Sequence, residues 1–204
     1  MIFGWMVFLQ RRNRMAEKLH HSAEENFPLR AAAIRPTTWL AVRMLAPEII
    51  RAALPSREDF LISRRVNGWV IVTGPGLPDP GDDVDACHLF LTALSRELGH
   101  VQFFHAEIFS AHHAWARIDE GCVTRAYAWA GETIWNQGAE TLAETRLRMK
   151  CFGYGEDAGA GFWATKTNAA ANVEKIPQLA ARWGIDPKMM QRASEISGES
   201  SRLN

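Results

Sequence analysis

Residues 101–138, VQFFHAEIFSAHHAWARIDEGCVTRAYAWAGETIWNQG, constrain the fold more than any other stretch of the chain. Small and large side chains alternate on both sides of Asp119-Glu120-Gly121, and a period of two belongs to strands with unlike faces. A three-residue loop ending in glycine suits a type I turn followed by a left-handed residue, so a hairpin is expected. With Ile118 opposite Cys122, one face would carry Ala114, Ala116, Ile118, Cys122, Thr124, Ala126 and Ala128. The other would carry His113, Trp115, Arg117, Val123, Arg125, Tyr127 and Trp129. The same pairing sets Trp115 against Arg125 and His113 against Tyr127.

The small face has a natural cover. Between Asp82 and Gly99, the residues Val84, Cys87, Leu91, Leu94 and Leu98 recur at the three- and four-residue spacing of an amphipathic helix. Asp82 or Asp83 suits its N-cap, and Gly99 suits the left-handed position that ends it. Asn67-Gly68, between Phe60–Val66 and Trp69–Thr73, marks a second hairpin, because a type I′ turn needs positive φ at both central residues. Thr133–Asn136 follows a turn at Gly131-Glu132 and adds an edge strand beside Trp129. Thr141 caps a helix through Leu142, Leu147 and Met149. Thr37 or Thr38 is placed to cap a helix carrying Trp39, Leu40, Val42, Met44 and Leu45, and Pro47 opens another through Ile50 and Leu54.

These elements predict an α+β fold: an antiparallel sheet of about five strands, helices packed on one face, and helical extensions at both ends. Three regions follow, with residues 1–56 a helical extension, 57–150 the α+β core, and 151–204 a glycine-rich loop and a helical hairpin. Gly153, Gly155, Gly159 and Gly161 are separated by few bulky apolar residues, which points to a mobile connection. Apolar residues 1–9 are too few to cross a hydrocarbon core of about 30 Å, and Arg11, Arg12 and Arg14 follow rather than precede them, unlike a signal peptide.

The 23 basic and 23 acidic residues balance, so no overall field draws the chain to nucleic acid or to an anionic membrane. Cys87, Cys122 and Cys151 form no CxxC pair and leave an odd thiol, a pattern that suits a reducing cytoplasm and no zinc knuckle. The loop Gly74–Gly81 lacks the Lys-Ser/Thr of a phosphate-binding loop and carries acidic residues that repel anions. Asp79, Asp82 and Asp83 lack calcium-loop spacing, and helix capping explains them better.

His105, Glu107, His112, His113 and Asp119 fall within fifteen residues, which raises a hydrolase or metalloenzyme centred on His113 as one alternative. Alternation points His112 and His113 to opposite sides, and no HExxH or GxSxG motif accompanies them, so no catalytic residue, metal ligand or cofactor is assigned. Further on, Leu179-Ala180-Ala181-Arg182-Trp183-Gly184-Ile185-Asp186-Pro187-Lys188-Met189-Met190-Gln191-Arg192 reads as a helix, a glycine turn and a second helix. It resembles the helix-turn-helix pattern of bacterial repressors. That resemblance implies a second alternative, DNA binding, with Lys188, Gln191 and Arg192 facing a major groove.

The leading expectation is non-catalytic. Eight tryptophans in 204 residues are many, and Trp and Arg are the residues that most often anchor interfaces. His113, Trp115, Arg117, Arg125, Tyr127 and Trp129 are therefore expected to recognise a protein partner or a small ligand. A competing outcome is that a helical extension covers this face and makes it a second core.

Overall fold

The computed structural model describes residues 37–55, 59–156 and 170–185. Seven strands form one antiparallel sheet: β1 (Thr38–Arg43), β2 (Leu61–Ile62), β3 (Trp69–Thr73), β4 (His100–Ala106), β5 (His113–Asp119), β6 (Cys122–Trp129) and β7 (Thr133–Gln137). Their spatial order is β2-β3-β1-β4-β5-β6-β7. The described helices include α1 (Pro47–Ala53), α2 (Val84–Leu98), α3 (Leu142–Leu147) and α4 (Ile176–Arg182), with residues 170–173 also helical. The α+β class and the antiparallel sheet agree with the sequence expectation, but seven strands replace about five.

The largest correction is β1. Residues 38–43 form a strand between β3 and β4, not the helix expected over Trp39–Leu45. Trp39, Leu40, Ala41 and Val42 are all buried. A central strand covered on both sides is apolar throughout, so it loses the alternation by which a strand is recognised in sequence. β1 lies inside the segment expected to be a helical extension.

The other elements follow their local signals. Asn67 and Gly68 both take positive φ between β2 and β3, as a type I′ turn requires. Asp83 caps α2 through Ala86 N–H at 2.9 Å, and Gly99 ends it with φ 78°. Thr141 and Glu144 form a reciprocal capping box at α3.

The central hairpin turns one residue more tightly than expected. Asp119 pairs with Cys122, leaving Glu120 and Gly121, both at positive φ, as the loop. A bulge beyond Ile118↔Val123 then shifts the register, so that Arg117 pairs with Arg125, Trp115 with Tyr127 and His113 with Trp129. The expected pairs Trp115–Arg125 and His113–Tyr127 are therefore corrected. The bulge moves Val123 to the α2 side and leaves Thr124 exposed, with its hydroxyl donating to Arg117 O at 3.0 Å. Beyond the bulge the two faces are as the alternation predicts.

Leu91, Leu94 and Leu98 of α2 share one buried cluster with Ala114, Ala116, Ile118, Ala126 and Ala128. A second cluster fills the opposite face with Trp39, Trp69, Phe104, Trp115, Tyr127 and Trp129 under Val173, Ile176, Leu179 and Trp183. Helical layers thus cover both faces of the sheet, not one.

Candidate functional site

The residues proposed from sequence as a binding face are interior. His113, Trp115, Arg125, Tyr127 and Trp129 are buried, and only Arg117 is half-buried. The physical reason is the size of the opposite layer. α4, with the segment before it and residues 147–152, brings Leu147, Met149, Phe152, Ile176 and Leu179 onto the aromatic rings. The face is a second core. Cys151 and Phe152, expected to begin a mobile connection, pack against it.

Charge inside this core is neutralised by construction. Glu144, delivered by the capping box of α3, accepts from Trp115 Nε1 at 2.7 Å and Arg125 Nε at 2.8 Å through Oε1. Its Oε2 accepts from Thr141 N–H at 2.7 Å and from the Thr141 hydroxyl at 2.6 Å. Arg125 also donates to Asn136 Oδ1 at 2.9 Å and Gly138 O at 3.1 Å. Every acceptor position of the carboxylate is used, the condition under which a buried ion pair is tolerated. Cys151 Sγ lies 3.2 Å from Arg125 Nη2. Burial nevertheless pushes its thiol up to about 12 despite the guanidinium, which disfavours the reactive thiolate.

His113 is equally committed. Its Nδ1 donates to Ala111 O at 2.8 Å, and its Nε2 accepts from Asn172 Nδ2 at 3.2 Å. Burial holds its pKa down to about 4. A neutral ring with both nitrogens engaged fits neither a metal nor a proton-transfer role. Lys188, Gln191 and Arg192, on which the DNA-binding alternative rests, lie outside the described residues.

Several large apolar side chains face solvent, among them Met44, Leu89, Leu142 and Tyr154, and the two most exposed lie together at one end of the sheet. The β4–β5 loop, residues 107–112, carries Ile108 at 77% exposure and Phe109 at 99%. The loop is held by Glu107 N–H to His112 O at 2.9 Å, Phe109 N–H to Glu107 Oε1 at 3.1 Å, and His112 N–H to Ser110 Oγ at 3.2 Å. Ala111 takes φ 62° and is itself buried, pinning the far side of the loop into the aromatic core. Such a backbone costs about 1–2 kcal/mol for a residue other than glycine. The tip is a fixed display of two bulky apolar side chains.

The β3–α2 loop adjoins it. A Cβ built on Gly81 would stand 3.1 Å from His112 Nδ1 and 3.2 Å from Asp79 Oδ1, so the two loops meet at this glycine. Asp79 Oδ1 accepts from Gly81 N–H at 2.8 Å. Beneath them His105, 2% exposed, shares Nδ1 with the Thr38 hydroxyl at 2.9 Å and turns Nε2 toward Asp79 Oδ1 at 3.8 Å. Burial lowers the His105 pKa, with Asp79 and Glu107 acting in the opposite direction. Among the described residues no three His, Cys, Asp or Glu side chains stand together as a metal site, and no helix is long and apolar enough to cross a membrane.

Ile108 and Phe109 are not singled out in the sequence reading. The available signal was their position: two bulky apolar residues between a strand end and Ser110, with no periodic element to bury them. No protein family, curated protein or solved structure matches the chain.

Proposed function

We propose that the chain is a non-catalytic recognition protein that binds a protein partner through the β4–β5 loop rather than through the aromatic sheet face. The observation that supports this reading is Phe109, almost wholly exposed at 99% on a hydrogen-bonded loop. A large aromatic side chain held in water on a pre-set backbone loses little conformational freedom on docking, and aromatic anchors of this kind dominate interface energetics. Cys87, Cys122 and Cys151 are free thiols, which goes with a reducing, cytoplasmic setting.

A photo-crosslinking residue placed at position 109 tests the reading in cells that express the chain. One discrete protein adduct is expected from position 109 and none from the exposed position 97 on α2. Ile108→Ser with Phe109→Ser should abolish the adduct while the melting temperature stays within about 2 °C, the range of a surface change. Absence of any adduct, or a large fall in melting temperature, would reject the loop as a docking element.

A further inference from the structure

The total charge of zero conceals a separation. Between residues 66 and 116 the chain has one basic residue, Arg96, against six acids, while the whole chain has 23 of each. Most of those acids gather beside the exposed loop. Asp79, Asp82 and Asp83 lie before α2, Asp85 lies in its first turn, and Glu107 opens the β4–β5 loop. Among the described residues none of these carboxylates is paired with Lys or Arg.

A group of acids alone can be only a solvated helix start, and Asp83 does serve as an N-cap. The buried His105 adds an independent observation. Among the described residues its Nε2 has no hydrogen-bond partner and faces Asp79 Oδ1 at 3.8 Å, beyond hydrogen-bond reach. In the tautomer that donates Nδ1–H to the Thr38 hydroxyl, Nε2 and Asp79 are two acceptors facing each other with no donor between them. An ammonium or guanidinium group, which has several donors and no acceptor, satisfies both. The two loops meet at Gly81, so this polar floor and the Ile108–Phe109 tip belong to one end of the sheet.

Building on the loop reading, we infer that the partner presents a basic, apolar segment: its bulky side chains meet Ile108 and Phe109, and its Lys or Arg side chains meet Asp79, Asp82, Asp85 and Glu107. Charge complementarity then sets partner choice and association rate, while the apolar tip holds the complex. A partner with an acidic surface is refused by the same carboxylates.

Three fluorescein-labelled peptides read by anisotropy against the full chain test this: an amphipathic Lys/Leu helix, the same helix with every Lys replaced by Gln, and the same helix with every Leu replaced by Ser. Only the Lys/Leu peptide should bind, and 0.5 M salt should weaken it. The triple variant Asp82→Asn, Asp85→Asn, Glu107→Gln should weaken it by about tenfold or more with an unchanged melt. Gln keeps the Glu107 Oε1 acceptor that Phe109 N–H uses, so the loop is preserved. Equal binding of the Lys/Leu and Gln/Leu peptides, lost in Phe109→Ser, would overturn the basic-partner inference and leave the loop reading standing. Equal binding of the Lys/Leu and Lys/Ser peptides, indifferent to Phe109→Ser, would overturn both. If none of the three binds, the inference falls, and the crosslink from position 109 decides the loop reading on its own.

Discussion

On the α2 face of the sheet, Leu91, Leu94 and Leu98 meet Ala114, Ala116 and Ala126; on the opposite face, Trp115 and Arg125 converge on the carboxylate of Glu144. The first contact is held by removal of apolar surface, which is non-directional and forgiving of detail. The second needs each donor aimed at an acceptor. It succeeds around Glu144 and His113 and fails at Trp39 Nε1, Gln102 Oε1, Arg117 Nε, Trp129 Nε1 and Trp183 Nε1, which are buried without a partner among the described residues. A buried polar group left in this way costs about 1–3 kcal/mol. One sheet therefore carries a tolerant core and a demanding one.

Removing one partner of the buried pair is the severest way to probe that difference. Glu144→Ala should cost about 3–5 kcal/mol in denaturant melts, because Arg125 and the Trp115 N–H lose their acceptor inside a dry core. Adding Arg125→Met to it should recover part of the loss, as the uncompensated charge is removed. Leu94→Ala on the α2 face should cost about 2–5 kcal/mol, with no single companion substitution that recovers it, since the defect is volume and not charge. If the Glu144→Ala, Arg125→Met pair is as damaged as the sum of its parts, the contrast between the faces is wrong.

Acid separates the faces next. The folded His113 pKa is about 4 against an ordinary 6.5. The unfolded chain therefore takes up a proton from pH 6.5 downward while the folded chain stays neutral. Stability is full above pH 6.5 and falls as the pH drops toward 4, by about 3 kcal/mol from this residue. His105, also lowered by burial, tilts the curve in the same direction. His113→Gln should lower stability at pH 7 yet flatten its slope between pH 6.5 and 4. A variant whose slope equals that of the unmodified protein would remove His113 as the cause.

The two faces also differ in how far the sequence discloses them. The α2 face was legible because two opposed periodicities, Leu91/Leu94/Leu98 at helical spacing and Ala114/Ala116/Ala126 at strand spacing, can leave water only against each other. Membership of the aromatic face was legible by the same parity, but its burial was not. What covers it arrives from residues 143–152 and 170–185, distant in sequence and without a strong pattern of their own. β1 was misread because burial on both sides erases alternation. The single-residue slip at Ile118↔Val123 was hidden because a two-residue and a three-residue loop both use Glu120-Gly121. Asp79, Asp82 and Asp83 are visible in the sequence as a cluster, but their place beside Ile108 and Phe109 is not, because it depends on the β3–α2 and β4–β5 loops meeting at Gly81.

The finest test of the demanding face compares two identical substitutions. Trp115→Phe and Trp183→Phe delete the same atoms, so the loss of ring volume is shared, and the difference between them isolates the indole N–H. Trp115 Nε1 donates to the Glu144 carboxylate at 2.7 Å, and hydrogen bonds to charged groups contribute about 1.5–3 kcal/mol. Trp183 Nε1 has no acceptor among the described residues, while its ring packs on Phe104 and carries the Arg117 guanidinium 5.3 Å from its centroid. Phenylalanine retains most of that contact, and removal of an unpaired N–H offsets part of the lost area. Trp115→Phe should therefore be the more damaging by about 1.5–3 kcal/mol, with Trp183→Phe within about 1 kcal/mol of the unmodified protein. Equal losses at the two positions would mean that Trp183 Nε1 has a partner in solution, and the account of this face as incompletely satisfied would fall with it.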